Sequence, residues 1–150
     1  MIRRKDTYFC TMEKSLLFKN TKISYTDSGK GAVVVLLHGF LENKHMWNEI
    51  IPEISKNKRV LAIDLLGHGH TECLGYIHPM ELMADAVTAV LKTLRIRKIT
   101  LIGHSMGGYV SLALAEKNRK MIRGLCLLNS TAASDDTSRK KLRERANKMA

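Results

Sequence analysis

KITLIGHSMGGYVSLALAEK, residues 98–117, is the stretch that decides how this chain is read. Lys98 to Ile102 is a short apolar run with strand character, and Met106 to Lys117 is a nearly all-apolar helical run. Between them stands Gly103-His104-Ser105-Met106-Gly107-Gly108. A Gly-x-Ser-x-Gly pattern taken alone is a common glycine-rich turn. Placed between a strand and a helix, it describes a turn that reverses direction at one residue, with no room for side chains at the flanking positions 103 and 107. Such a turn lifts the Ser105 hydroxyl above the sheet, where the first N–H groups of the following helix point into the same space. Ser105 is therefore the candidate nucleophile.

Working outward, Ala32 to Leu37 is continuously apolar and rich in valine, as a strand covered on both faces requires. It runs into His38-Gly39-Phe40, a loop expected beside the serine at the carboxyl ends of neighbouring strands. Arg59 to Asp64 reads as the next buried strand and Ile122 to Leu128 as a later one. Before them, Ser15 to Phe18 and Lys22 to Thr26 read as two edge strands, closed by an Asp27 to Gly31 turn. Met46, Trp47, Ile50, Ile51 and Ile54 predict a helix over about 44–55 despite Pro52. Met83, Val87, Val90, Leu91 and Leu94 predict another over 79–94, with Pro79 tolerated in its first turn. The resulting order, β-β-β-α-β-α-β-α-β, predicts an α/β fold: a mostly parallel sheet with helices on both faces.

These pieces resemble the α/β-hydrolase superfamily, in its lid-bearing serine esterase and lipase-like branch. The matching segments are VVLLHGF (34–40), DLLGHGHT (64–71) and IGHSMGG (102–108), and the likeness covers roughly residues 13–135. The resemblance implies Ser105 as nucleophile, with the backbone N–H groups of Phe40 and Met106 forming an oxyanion hole. It also implies a triad acid and histidine after later strands, and neither is identified in this chain. Asn129, Asp135 and Asp136 follow the last strand without being assigned as the acid, and Leu66 stands where the family usually has proline. The chain is accordingly expected to be the N-terminal part of such a hydrolase, truncated before the last strands. Residues 1–12 would form an arm, 13–135 the core, and 136–150 the start of a lid or cap helix.

Asp64 is expected to be structural, accepting hydrogen bonds from its own glycine-rich loop. His104 should point away from the nucleophile. His38, His45, His68, His70 and His78 carry no expected catalytic role.

Composition narrows the functional classes. The 150 residues are 45% apolar, enough for one core, and carry a formal charge of +11. Much of that charge lies in Arg3, Arg4 and Lys5 and in Arg139, Lys140, Lys141, Arg143, Arg145 and Lys148. No stacking aromatic stands among these runs, so a solvated face is expected and no nucleic acid partner. No apolar run approaches the roughly 18 to 20 residues of a membrane span, and a cytoplasmic protein is expected. Cys10, Cys73 and Cys126 lack metal-ligand spacing, so reduced thiols, no metal and no cofactor are expected. The leading expectation is an enzyme cleaving an ester or related acyl bond of a small-molecule acyl substrate through an acyl-enzyme on Ser105. Peptidase, C–C hydrolase, haloperoxidase or lyase chemistry on the same scaffold is the alternative within catalysis. A catalytically incomplete or non-catalytic ligand-binding member is the alternative outside it.

Overall fold

The computed structural model describes residues 13–148, so the expected arm over residues 1–12 lies outside the described residues. Six strands form one sheet: β1 (Glu13–Phe18), β2 (Thr21–Gly29), β3 (Val33–Leu37), β4 (Arg59–Ile63), β5 (Ile99–His104) and β6 (Ile122–Leu128). Their spatial order is β1-β2-β4-β3-β5-β6. β3 lies parallel between β4 and β5, and β6 lies parallel on the far side of β5. β1 and β2 run antiparallel along the other edge.

Side chains of a strand alternate between faces, so a strand buried on both sides must be apolar throughout. β3 shows this directly. Val35 and Leu37 pack with Leu61, Ile63, Leu101 and the helices α2 (Met80–Thr93) and α3 (Met106–Lys117). Val34 and Leu36 pack on the opposite face with Trp47, Ile51, Val60 and Ala62. Helices therefore cover both faces, as the β-α alternation predicts.

Two elements differ from the sequence reading. The expected 44–55 helix is a 3-10 turn over Lys44–Trp47 followed by α1 (Ile51–Ser55). Pro52 lacks an N–H, so it sits in the first turn of α1, where no donor is needed, and cannot lie inside a longer helix. The expected turn from Asp27 is partly strand, because Asp27, Ser28 and Gly29 pair with Leu61, Val60 and Arg59 of β4. The Asp27 carboxylate accepts from Arg59 Nε at 2.8 Å and Nη2 at 2.9 Å, so it serves as a cross-strand ion-pair partner. After β6, α4 (Thr137–Asn147) begins, capped by Asp136 Oδ1 accepting from the Arg139 N–H at 2.8 Å. Among the described residues no helix is long and apolar enough to cross a membrane.

Candidate active site

Ser105 sits between the last residue of β5 and the first of α3, with φ 49° and ψ −112°. A non-glycine residue there carries strain of order 1–3 kcal/mol, which only an over-determined surrounding can hold. The surroundings are specific. The Ser105 N–H donates to Leu128 O of β6 at 3.0 Å, and its carbonyl accepts from Gly108 N–H at 3.0 Å and Ser130 Oγ at 2.9 Å. A Cβ at position 103 would stand 2.6 Å from Gly108 N, and one at position 107 would stand 2.6 Å from His38 O. Both glycines are thus required by close backbone approach, which is the steric demand read from the sequence.

The β3 loop is built just as tightly. His38 is fully buried. Its Nε2 accepts from the Leu65 N–H at 2.9 Å, which leaves the proton on Nδ1 to donate to Gly39 O at 2.7 Å. Burial holds its pKa below the ordinary 6.5, so the ring ties the end of β3 to the end of β4 as a neutral group. Glu42 then closes the loop on itself. Its Oε2 accepts from the Gly39 N–H at 2.6 Å and from His104 Nδ1 at 2.9 Å. The His104 ring is thereby turned toward the β3 loop, where it links the serine turn to Phe40's neighbour.

Phe40, Ser105 and Met106 line one cavity of about 470 Å3. The N–H groups of Phe40 and Met106 make no hydrogen bond within the protein among the described residues. Phe40 lies outside regular structure, and Met106 opens α3, where the first N–H groups have no intrahelical acceptor. His68 and His78, given no role from sequence, line the same cavity. His68 Nδ1 is 3.0 Å from Leu66 O, and His78 Nε2 accepts from the Leu74 N–H at 3.0 Å. Neither is hydrogen-bonded to Ser105.

Asp64 is structural. Fully buried, it accepts from the His70 N–H at 2.9 Å, the Lys44 N–H at 2.7 Å and Lys44 Nζ at 2.7 Å. Burial alone would raise its pKa, but the Lys44 ammonium and the two amides outweigh it and hold the carboxyl below its ordinary 3.8. Gly69 makes room for this, since a Cβ there would lie 2.5 Å from the carboxylate. The burial of Lys44 was not legible in the sequence, where it marks only the start of the expected 44–55 helix. Glu13, His45 and His70 bring one ligand atom each within 4.8 Å of one another at the surface. The Lys44 ammonium lies 3.2 Å from Glu13 Oε1 and 3.5 Å from His70 Nδ1, so a cation already organises this cluster.

Comparison with known proteins agrees with this fold. The family model described as alpha/beta hydrolase fold matches residues 32–149. The 2-hydroxymuconate semialdehyde hydrolase of a Pseudomonas species is 30% identical over 125 residues, covering 81% of this chain and 44% of that protein. The pimeloyl-[acyl-carrier protein] methyl ester esterase of Neisseria meningitidis is 37% identical over 108 residues, covering 68% of this chain and 40% of that protein. The solved structure of a thermophilic esterase from Thermogutta terrifontis superposes with a TM-score of 0.82 at 31% identity, covering 92% of this chain and 53% of that one. The chain thus spans less than half the length of these curated relatives and about half of the solved one.

Proposed function

The chain belongs to the α/β-hydrolase family, and from that premise we propose that it is a serine hydrolase cleaving a carboxylic ester or related acyl bond through Ser105. The observation that carries this reading is the strained Ser105 backbone facing a cavity that it shares with Phe40 and Met106. The Ser105 oxygen attacks the acyl carbon and its proton passes to a general base. The carbonyl oxygen becomes an oxyanion held by the N–H groups of Phe40 and Met106. Collapse breaks the bond to the alcohol, which leaves with a proton, and water then releases the acid from the acyl-serine. Each oxyanion donor is worth about 3–4 kcal/mol in such a step. A second reading, hydrolysis of a C–C bond by the same serine, is favoured by the 30% identity to the semialdehyde hydrolase.

A serine hydroxyl without a positioned base is a poor nucleophile at neutral pH. No imidazole is bonded to Ser105 among the described residues, so the 150-residue chain is expected to give only residual turnover. The test assays the chain and its Ser105→Ala variant on a short activated ester under one condition. A small rate that vanishes in the variant is expected, and equal rates in both proteins would overturn the assignment of Ser105.

A further inference from the structure

Resting on Ser105 as the nucleophile, we propose that the acyl substrate carries a second, ionised carboxylate held by Arg139 of α4, in the wall that Arg143 helps to build. The two arginines stand one helical turn apart and so share a face of the helix. That face meets the nucleophile: Arg139, Arg143 and Ser105 line a cavity of about 410 Å3 with Asn129, Ser130 and Thr131. Its polar groups are cationic, hydroxyl or amide, and no carboxylate side chain lines it. The adjoining cavity over Phe40 and Met106, which Arg143 also lines, has no acidic lining residue either.

Arg143 is held in place before any ligand arrives. Its guanidinium lies over the Tyr109 ring at 4.9 Å, and Nη2 donates to Tyr109 Oη at 2.6 Å and to Asp135 Oδ1 at 3.1 Å. Asp135 balances that charge. Asp136 is occupied at the N-terminus of α4, accepting from the Arg139 backbone N–H. The Arg139 guanidinium makes no ion pair among the described residues, and among them its positive charge stands uncompensated at the wall of the Ser105 cavity. A planar guanidinium offers a carboxylate two parallel donors, and the Ser130 and Thr131 hydroxyls can supply further ones. The exposed Lys140, Lys141 and Arg145 on the same helix do not line the cavity. The charge that reaches the nucleophile therefore suits a small anionic acyl compound, such as the half-ester of a dicarboxylic acid.

The test measures binding in the Ser105→Ala protein, where no turnover interferes, comparing monomethyl adipate with dimethyl adipate, which has the same chain but no charge. The half-ester is expected to bind about tenfold more tightly at low salt, the scale of one hydrogen bond to a charged group. Arg139→Gln should bring that ratio close to unity, and Arg139→Glu should invert it, with an unchanged thermal transition showing that each variant folds. Equal binding of the two esters, or a preference that survives Arg139→Gln, overturns the proposal. Charge preference without Ser105-dependent turnover in the unsubstituted chain would uphold the carboxylate site and sink the serine reading. Turnover without charge preference would do the reverse.

Discussion

At the scale of single residues, the site rests on groups held in unusual states by their neighbours. Ser105 keeps a positive φ because Leu128, Ser130 and Gly108 take up its backbone polar groups, and Gly103 and Gly107 leave the space that the turn needs. This much was legible, since only a small set of residue types can occupy such a turn and they stand in order between a strand and a helix. His38 was not legible as a structural tie. Its partner, the Leu65 N–H, lies 27 residues away and meets it only after β3 and β4 pair. A pH dependence follows from it. Burial lowers the folded-state pKa of His38 below 6.5, so the unfolded chain binds the proton first. The stability this ring contributes is complete above pH 6.5 and declines as pH falls from there toward the depressed value. Asp27 and Asp64, also lowered, lose their contributions only below their ordinary 3.8. Denaturant midpoints measured between pH 7.5 and 4.5 should therefore fall with pH in the unsubstituted protein. In His38→Gln, which offers Leu65 an uncharged acceptor, they should be lower at pH 7.5 and nearly flat. An equal slope in both would contradict the assignment.

At the scale of elements, the strands were readable because a doubly covered strand must be apolar without interruption. The segment from 44 to 55 departs from a single helix because its apolar spacing suits one while Pro52 and the buried ion pair impose another backbone. That pair, Lys44 with Asp64, fixes the 3-10 turn to the end of β4. Removing the lysine leaves a buried carboxylate with no countercharge. Lys44→Met should accordingly cost about 3–5 kcal/mol of stability in chemical denaturation, and a cost under about 1 kcal/mol, typical of an exposed pair, would contradict its burial. The Glu42 clamp joins two further elements, the β3 loop through Gly39 and the serine turn through His104. If the clamp positions the Phe40 amide for the oxyanion, Glu42→Gln should lower kcat for ester hydrolysis about tenfold while leaving KM little changed. A change confined to KM would assign Glu42 to substrate binding instead.

At the scale of the whole molecule, the sheet order brings the β3 loop and the turn after β5 together, since these two strands are parallel neighbours and end at the same edge. Parallel pairing of strands far apart in sequence was inferable from the β-α alternation. The position of α4 beside the cavity was not, because its polar composition carries no packing signal and its placement depends on Tyr109 and Asp135. The proposed chemistry turns on whether Ser105 Oγ is the reacting atom of this edge. The most direct measurement is prolonged incubation with an alkyl fluorophosphonate, followed by peptide mass spectrometry and a structure of the adduct. One slow phosphonyl adduct is expected, on Ser105 Oγ, with a phosphoryl oxygen facing the N–H groups of Phe40 and Met106, and none in Ser105→Ala. An adduct on another residue, or equal labelling of the variant, would contradict it.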